Sequence, residues 1–297
     1  MKAVITGACG FIGRNLTMNL LDAGYEILAI DCADMCFSND PHITYVRSDL
    51  TDISSCINER FMGSDVIYHL AWAGVRPEDR NDLSVQQKNI SLSVNVVELA
   101  KALDIKKAVF VGSTMEYCYN EGEIGETSLP TPHNAYGSVK TAVRFICQQL
   151  CRDYGIDFEY AVLTSIYGKG REDNNVVFYC IRSFLNGEVP KLTRCIQKWD
   201  FIHIDDAAEA LKLIGEKGKP FAFYAVGAAE NRRLSEYIDI ICKITGGKAE
   251  LGAVEYKDGL IANSAICIDR LKADTGFTPT ISFSNGIIAV IDHYRRK

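Results

Sequence analysis

The sequence has no surplus of positive charge. Lys and Arg total 32 against 38 Asp and Glu, a formal net charge of −6, so the basic domain or stripe that marks a nucleic-acid binder is missing. No apolar run approaches the roughly 18 residues that read as a membrane helix, and the chain opens directly into MKAVITG without the apolar core of a secretory signal. Internal repeats, low-complexity tracts and long linkers are absent too. The 11 cysteines are scattered, with no C-x-x-C unit and an odd total, which argues against a disulfide framework and leaves no ligand spacing for structural zinc. The pairs Cys32/Cys36 and Cys147/Cys151 read as small apolar core residues, and no metal site is expected. Free thiols at this density suit a reducing compartment. The expectation is a cytoplasmic protein with neither membrane nor nucleic acid as partner.

What is present is the composition of a folded globular chain: 297 residues, 47% hydrophobic and 24% charged. That length suggests two domains, or one domain with an attached lobe. Lys2 to Thr6 is a short apolar run that stops at a glycine turn, and Phe11 to Ala23 then repeats apolar residues at helical spacing. Tyr25 to Ile30, Ile43 to Val46, Asp65 to Leu70, Lys107 to Val111 and Phe158 to Leu163 read as further buried strands, with helices expected over Leu83 to Leu103 and His133 to Tyr154. Strands apolar throughout and alternating with helices specify an α/β fold, a doubly wound parallel sheet covered on both faces. After Ser165 the pattern loosens, and Leu234 to Ile244 and Asn285 to Tyr294 supply later helices. The expected division is a Rossmann-type domain over 1–164 with 192–224 returning to it, and a smaller C-terminal α/β substrate lobe from 165–191 and 225–297.

Gly7, Gly10 and Gly13 fall between the first strand and the first helix, in Thr6-Gly7-Ala8-Cys9-Gly10-Phe11-Ile12-Gly13. Glycines there let backbone approach a pyrophosphate, whose charge sits on the unpaired N–H groups of the helix start, here Phe11 and Ile12. Asp31 closes the second strand, 18 residues after Gly13, where an acid accepts from the ribose hydroxyls of a dinucleotide and repels a 2′-phosphate. NAD is therefore favoured, with NADP as the alternative because Arg14 follows the loop.

Tyr136-Gly137-Ser138-Val139-Lys140 places a phenol and an ammonium one helical turn apart on one face. A neighbouring ammonium stabilises phenolate and is expected to lower the pKa of Tyr136, making it a proton donor or acceptor. The fifth strand ends in Gly-Ser-Thr-Met-Glu-Tyr, residues 112 to 117, where Ser113 or Thr114 could share a hydrogen bond to the reacting oxygen.

With these residues in view, the sequence resembles the extended short-chain dehydrogenase/reductase superfamily, and within it the NAD-dependent epimerase/dehydratase family of nucleotide-sugar enzymes. The resemblance runs nearly end to end, through TGACGFIG at 6 to 13, STMEY at 113 to 117, YGSVK at 136 to 140, SIYGKG at 165 to 170 and DFIHIDD at 200 to 206. It implies hydride transfer at a sugar carbon, with Tyr136 moving the hydroxyl proton and Lys140 also holding the nicotinamide ribose. It further implies Asp49 and Leu50 against the adenine, Ala71 along the cofactor channel, and a homodimer through a four-helix bundle built on Leu83 to Leu103 and His133 to Tyr154. Anchoring on Ser-Thr-x-Glu favours Thr114 as the catalytic hydroxyl, and anchoring on Tyr117 favours Ser113.

Three departures bear on the reaction. Dehydratases of the family carry an acid pair after the catalytic Thr, and here Met115 replaces the first acid and only Glu116 remains. Ser165 and Trp199 stand where the family has Asn and often Arg, so Arg171, Arg194, Lys198, Arg232 and Arg233 become candidates for holding the substrate, with Ser165 and Glu116 beside them. The leading expectation is hydride transfer at C4 of a nucleotide-activated sugar, by a 4-epimerase or a 4-keto-6-deoxysugar reductase. A 4,6-dehydratase and a non-catalytic dinucleotide-binding regulatory module are the alternatives.

Overall fold

The computed structural model describes residues 1–38, 40–120, 122–171, 175–256 and 262–296. Its first half alternates strand and helix: β1 (Lys2–Thr6), α1 (Phe11–Asp22), β2 (Glu26–Asp31), β3 (Ile43–Arg47), β4 (Val66–His69), α2 (Leu83–Gln86), α3 (Lys88–Ala102), β5 (Lys107–Ser113), α4 (Ala135–Tyr154) and β6 (Asp157–Leu163). The second half adds β7 (Ser165–Tyr167), α5 (Val176–Leu185), β8 (Lys191–Leu192), β9 (Lys198–Trp199), β10 (Phe201–His203), α6 (Ile204–Lys217) and β11 (Phe223–Val226). It closes with β12 (Arg232–Arg233), α7 (Leu234–Thr245), β13 (Glu250–Leu251), α8 (Asp269–Thr275) and α9 (Phe283–Arg295).

Seven strands form one sheet in the order β11-β6-β5-β4-β1-β2-β3, and every neighbouring pair is parallel. The expected doubly wound α/β architecture is present. Because the chain leaves β1 for β2 and β3 on one side and comes back to β4 on the other, a crevice opens at the carboxyl ends of β1 and β4. The sheet and its helices share one core around Val4, Ile5, Leu28, Ile67, Val109 and Val162. A second core, around Phe178, Ile181, Tyr237, Phe283 and Ile287, holds α5, α7 and α9 together. β11 is an edge of the main sheet, and Ile266, Leu271 and Phe277 pack into the first core. The sheet side therefore takes in chain beyond residue 224, where the lobe was expected to begin.

Local chemistry moves several boundaries. The helix expected from Leu83 to Leu103 breaks at Gln87 into α2 and α3, because the Asn89 side-chain amide donates to the Gln86 carbonyl and Ile90 N–H turns to Gln87 instead. The helix expected from His133 starts at Ala135, since the Asn134 side chain caps it by accepting from Gly137 N–H at 2.8 Å. The cysteine reading is half right. Cys147 and Cys151 are buried in α4, whereas Cys32 and Cys36 are exposed in the loop that follows β2.

One buried group breaks the apolar rule for a central strand. Glu159 on β6 is fully buried, and among the described residues neither of its carboxylate oxygens has a hydrogen-bond partner. Burial pushes its carboxyl up from 4.5 to about 8, so it is protonated in the folded chain at neutral pH. Once unfolded it ionises near its ordinary value, and this ionisation drains stability progressively as pH rises from the ordinary value to the folded one. Below that window both states are protonated and nothing is lost. Thermal melts of Glu159→Gln should show an advantage over the parent that widens steadily between about pH 5 and pH 8. A difference in Tm that is constant across this range would refute the assignment.

Candidate active site

The glycine turn is held by backbone packed on backbone. Gly7 takes φ +73°, and a Cβ there would lie 2.6 Å from the Ala71 nitrogen. A Cβ on Gly13 would lie 2.1 Å from the Gly7 carbonyl oxygen. Gly10 precedes α1 without offering a side-chain cap, and the first turn of α1 has no acid. The leading N–H groups of the helix, at Phe11, Ile12 and Gly13, thus have no partner within the helix, which is the condition for receiving an anion. Asp31 is fixed beside them: its Oδ2 accepts from Cys9 N–H at 2.8 Å and its Oδ1 from Ala33 N–H at 2.9 Å. Asp49 is exposed after β3, with Oδ1 taken by both the N–H and the hydroxyl of Thr51, which holds its carboxyl below the usual range. Leu50 is buried at φ +66°, its carbonyl accepting from Asn95 Nδ2 at 2.8 Å. These residues suit a dinucleotide: a turn closed to any side chain, donors for its phosphates and an acceptor for a ribose.

The catalytic candidates converge on the same edge. α4 comes up against the turn that follows β5 because residue 137 is glycine; a Cβ there would sit 2.3 Å from the Met115 carbonyl oxygen. Lys140, almost wholly buried, donates to the Val111 carbonyl at 2.8 Å and lies 5.5 Å from the Tyr136 ring centroid. Burial pushes Lys140 down to about 8, opposed by the negative charge of Glu116. Tyr136 keeps part of its surface open, yet the packing around it pushes its phenol up to about 12 against the lowering influence of the nearby Ser113 hydroxyl and the charge of Arg80. The expected lowering by Lys140 is therefore not what the structure gives: desolvation outweighs a cation that is turned toward Val111.

The strand end decides between the two hydroxyls. Ser113 is half-buried, lies close enough to Tyr136 to act on its phenol and caps the following turn by accepting from Met115 N–H, whereas Thr114 is nearly fully buried. Glu116 has no exposed surface. It accepts from Ser113 N–H at 2.8 Å and from the Tyr160 hydroxyl at 2.9 Å, so its carboxylate braces the turn and does not face a substrate. In the lobe, Ser165 Oγ accepts from Trp199 Nε1 at 2.9 Å. Arg171 lies over the Phe11 ring and donates to the Ile166 carbonyl. Arg232 is ion-paired with Glu230 at 2.8 Å, and Arg194, Lys198 and Arg233 are exposed. The structure gathers the loop, Asp31, Ser113, Tyr136 and Lys140 at the carboxyl ends of the strands, and in the lobe it sets Lys198 opposite Arg233 where β9 pairs with β12.

The profile of the NAD dependent epimerase/dehydratase family matches residues 3–227. The chain belongs to this family. Among its relatives are a probable UDP-glucuronate 4-epimerase of Rhizobium meliloti, 23% identical over 99% of this chain and 97% of the relative. A dTDP-glucose 4,6-dehydratase of Streptomyces antibioticus is also 23% identical, over 99% of this chain and 92% of the relative. The dTDP-glucose 4,6-dehydratase DesIV of Streptomyces venezuelae, solved with NAD bound, superposes with a TM-score of 0.86 at 20% identity, covering 100% of this chain and 98% of DesIV. Family membership and fold are thereby shown. Epimerases and dehydratases both stand among the relatives, so the reaction has to be read from the site itself.

Two residues in this family member's site carried no signal of spacing. Trp72 follows β4 and meets Tyr136 edge-on at 5.8 Å; the only hint was a large aromatic next to the sheet's switch point. Arg80 comes from the loop before α2, with its guanidinium carbon 5.9 Å from the Tyr136 ring centroid and its carbonyl accepting from Tyr136 N–H. The geometry gives a direct test of the hydroxyl assignment. Ser113→Ala should lower kcat by about 100-fold, while Thr114→Ala stays within about threefold, as expected for a side chain outside the reacting group. The reverse pattern in steady-state assays would return the role to Thr114.

Proposed function

We propose that this protein is an NAD-dependent oxidoreductase that acts by hydride transfer at C4 of a nucleotide-activated sugar, as a 4-epimerase or a 4-keto-6-deoxysugar reductase. The observation that carries the reading is the placement of Ser113, Tyr136 and Lys140 at the carboxyl edge of the sheet, beside a glycine turn shaped for a dinucleotide. NAD bound there supplies the acceptor or donor of the hydride. Tyr136 moves the hydroxyl proton at the reacting carbon, Ser113 shares its hydrogen bond to that oxygen, and the Lys140 ammonium steadies the negative charge that develops on the phenol. Asp31, fixed at the loop, accepts from the adenosine ribose, which favours NAD over NADP. We assign the dinucleotide to the sheet side and the sugar nucleotide to the lobe, whose exposed cations Arg194 and Lys198 are available to its diphosphate.

The dehydratase alternative is disfavoured by Glu116, the remaining acid of the expected pair, because its carboxylate is enclosed and already bonded to Ser113 and Tyr160. A non-catalytic module has no use for the Tyr136 and Lys140 pair. Among the described residues no helix is long and apolar enough to cross a membrane. We further propose a homodimer through α3 and α4, which pack against each other and leave Phe145 and Ile146 exposed at 53% and 39%.

The purified protein, denatured, should release stoichiometric NAD if it is an epimerase, and it should turn over an NDP-sugar without added cofactor. Consumption of added NADH or NADPH on an NDP-4-keto-6-deoxysugar identifies the reductase. In either case Tyr136→Phe should lower kcat by about 10²- to 10⁴-fold, and full turnover by that variant would refute the mechanism. Light scattering should give the mass of two chains, and Phe145→Asp should shift it toward one; a parent monomer would sink the dimer.

A further inference from the structure

Trp72 is tied at both ends. Its indole N–H donates to Gln86 Oε1 at 3.0 Å. Gln86 is fully buried, and its amide nitrogen donates to the carbonyls of Gly74 at 2.7 Å and Asp79 at 3.1 Å. At the other end, Lys140 Nζ lies 3.7 Å from the centroid of the indole ring, a close cation–π contact. An ammonium has three N–H donors. One goes to the Val111 carbonyl and one faces the indole, and the Tyr136 ring, which the indole also abuts, has its centroid 5.5 Å from the ammonium.

We infer that Trp72 is a positioning residue of the catalytic pair: its indole, anchored through Gln86, holds the Lys140 ammonium where Tyr136 needs it. The inference rests on the reading of Tyr136 and Lys140 given above. Its physical basis is that a buried ammonium has lost its hydration and keeps its proton only if the site replaces part of what water gave. The groups facing Lys140 are Tyr136 on its own helix, Glu116 on the turn after β5 and His69 at the end of β4, while Arg80 faces Tyr136. His69 is held neutral, pushed down to about 3 by burial and bonded to Thr6 and Ser93. Glu116 divides its carboxylate between Ser113 and Tyr160. The Val111 carbonyl and the π face of Trp72 are the contacts to Lys140 that no titration of a neighbour can remove, and of the two only the indole is a side chain.

The test has a readout apart from turnover. In protein labelled with carbon-13 at the lysine ε position, the Lys140 resonance, assigned by its loss in Lys140→Met, should titrate with a midpoint near 8 in the parent. Trp72→Leu removes the π face and should lower that midpoint by about one pH unit. Trp72→Phe, which keeps a weaker π face, should fall between the two. The alkaline limb of kcat should move down by the same amount in each variant, with KM for the sugar nucleotide unchanged within about twofold. A cavity effect alone would lower Tm and leave the midpoint in place. If Trp72→Leu does not fold, a Trp72→Phe midpoint equal to the parent's overturns the inference by itself. If no sugar nucleotide is turned over, the proposed reaction fails while the titration still judges Trp72.

Discussion

Side-chain carbons on Gly13 and Gly137 would lie 2.1 Å from the carbonyl oxygen of Gly7 and 2.3 Å from that of Met115, distances no pair of heavy atoms tolerates without a shift of backbone. These two approaches set the spacing of the whole sheet edge. The first seats α1 on the turn after β1, so that its leading N–H groups face outward beside Asp31. The second lets α4 close on the turn after β5, so that Tyr136 comes within reach of Ser113. Neither contact involves a charged or bonding side chain. The chemistry of the edge follows from where bare backbone can touch bare backbone.

The electrostatics follow from that packing. An acidic chain of net charge −6 presents neutral donors at the glycine turn, which suit phosphates without a basic field. Burial, meanwhile, drives Tyr136 up and Lys140 down, away from each other. The two groups stand about four pH units apart in the structure, against an ordinary separation in which lysine titrates slightly above tyrosine. The charged partner in the pair is therefore the lysine, and its charge depends on contacts that replace solvent.

Much of this was legible in the residues. Apolar strands alternating with helices, glycines between the first strand and helix, Asp31 at the second strand's end and Tyr-x-x-x-Lys each signal through spacing along a single element, where geometry is local. What stayed hidden depends on rotation or on convergence. Ser113 and Thr114 are adjacent at a strand end, and neighbours on a strand face opposite ways, so two anchor choices pointed to two residues. Trp72 and Arg80 reach the Tyr136 and Lys140 pair from loops, and Gln86 reaches Trp72 from a short helix, along a course that no periodicity announces. Glu159 occupies a central strand that reads as apolar, and nothing beside it in sequence marks it as enclosed. Cys32 and Cys36 are exposed because their segment is the loop after β2, and the small apolar character of a cysteine does not by itself place it in the core.

The hydrogen bond from Trp199 to Ser165 joins two positions that lie 34 residues apart in the chain. Each is the other's partner across two separate small sheets, one half-buried donor on β9 and one half-buried acceptor on β7. Replacing either one alone takes this bond from the other, so the effects of the two replacements are not additive.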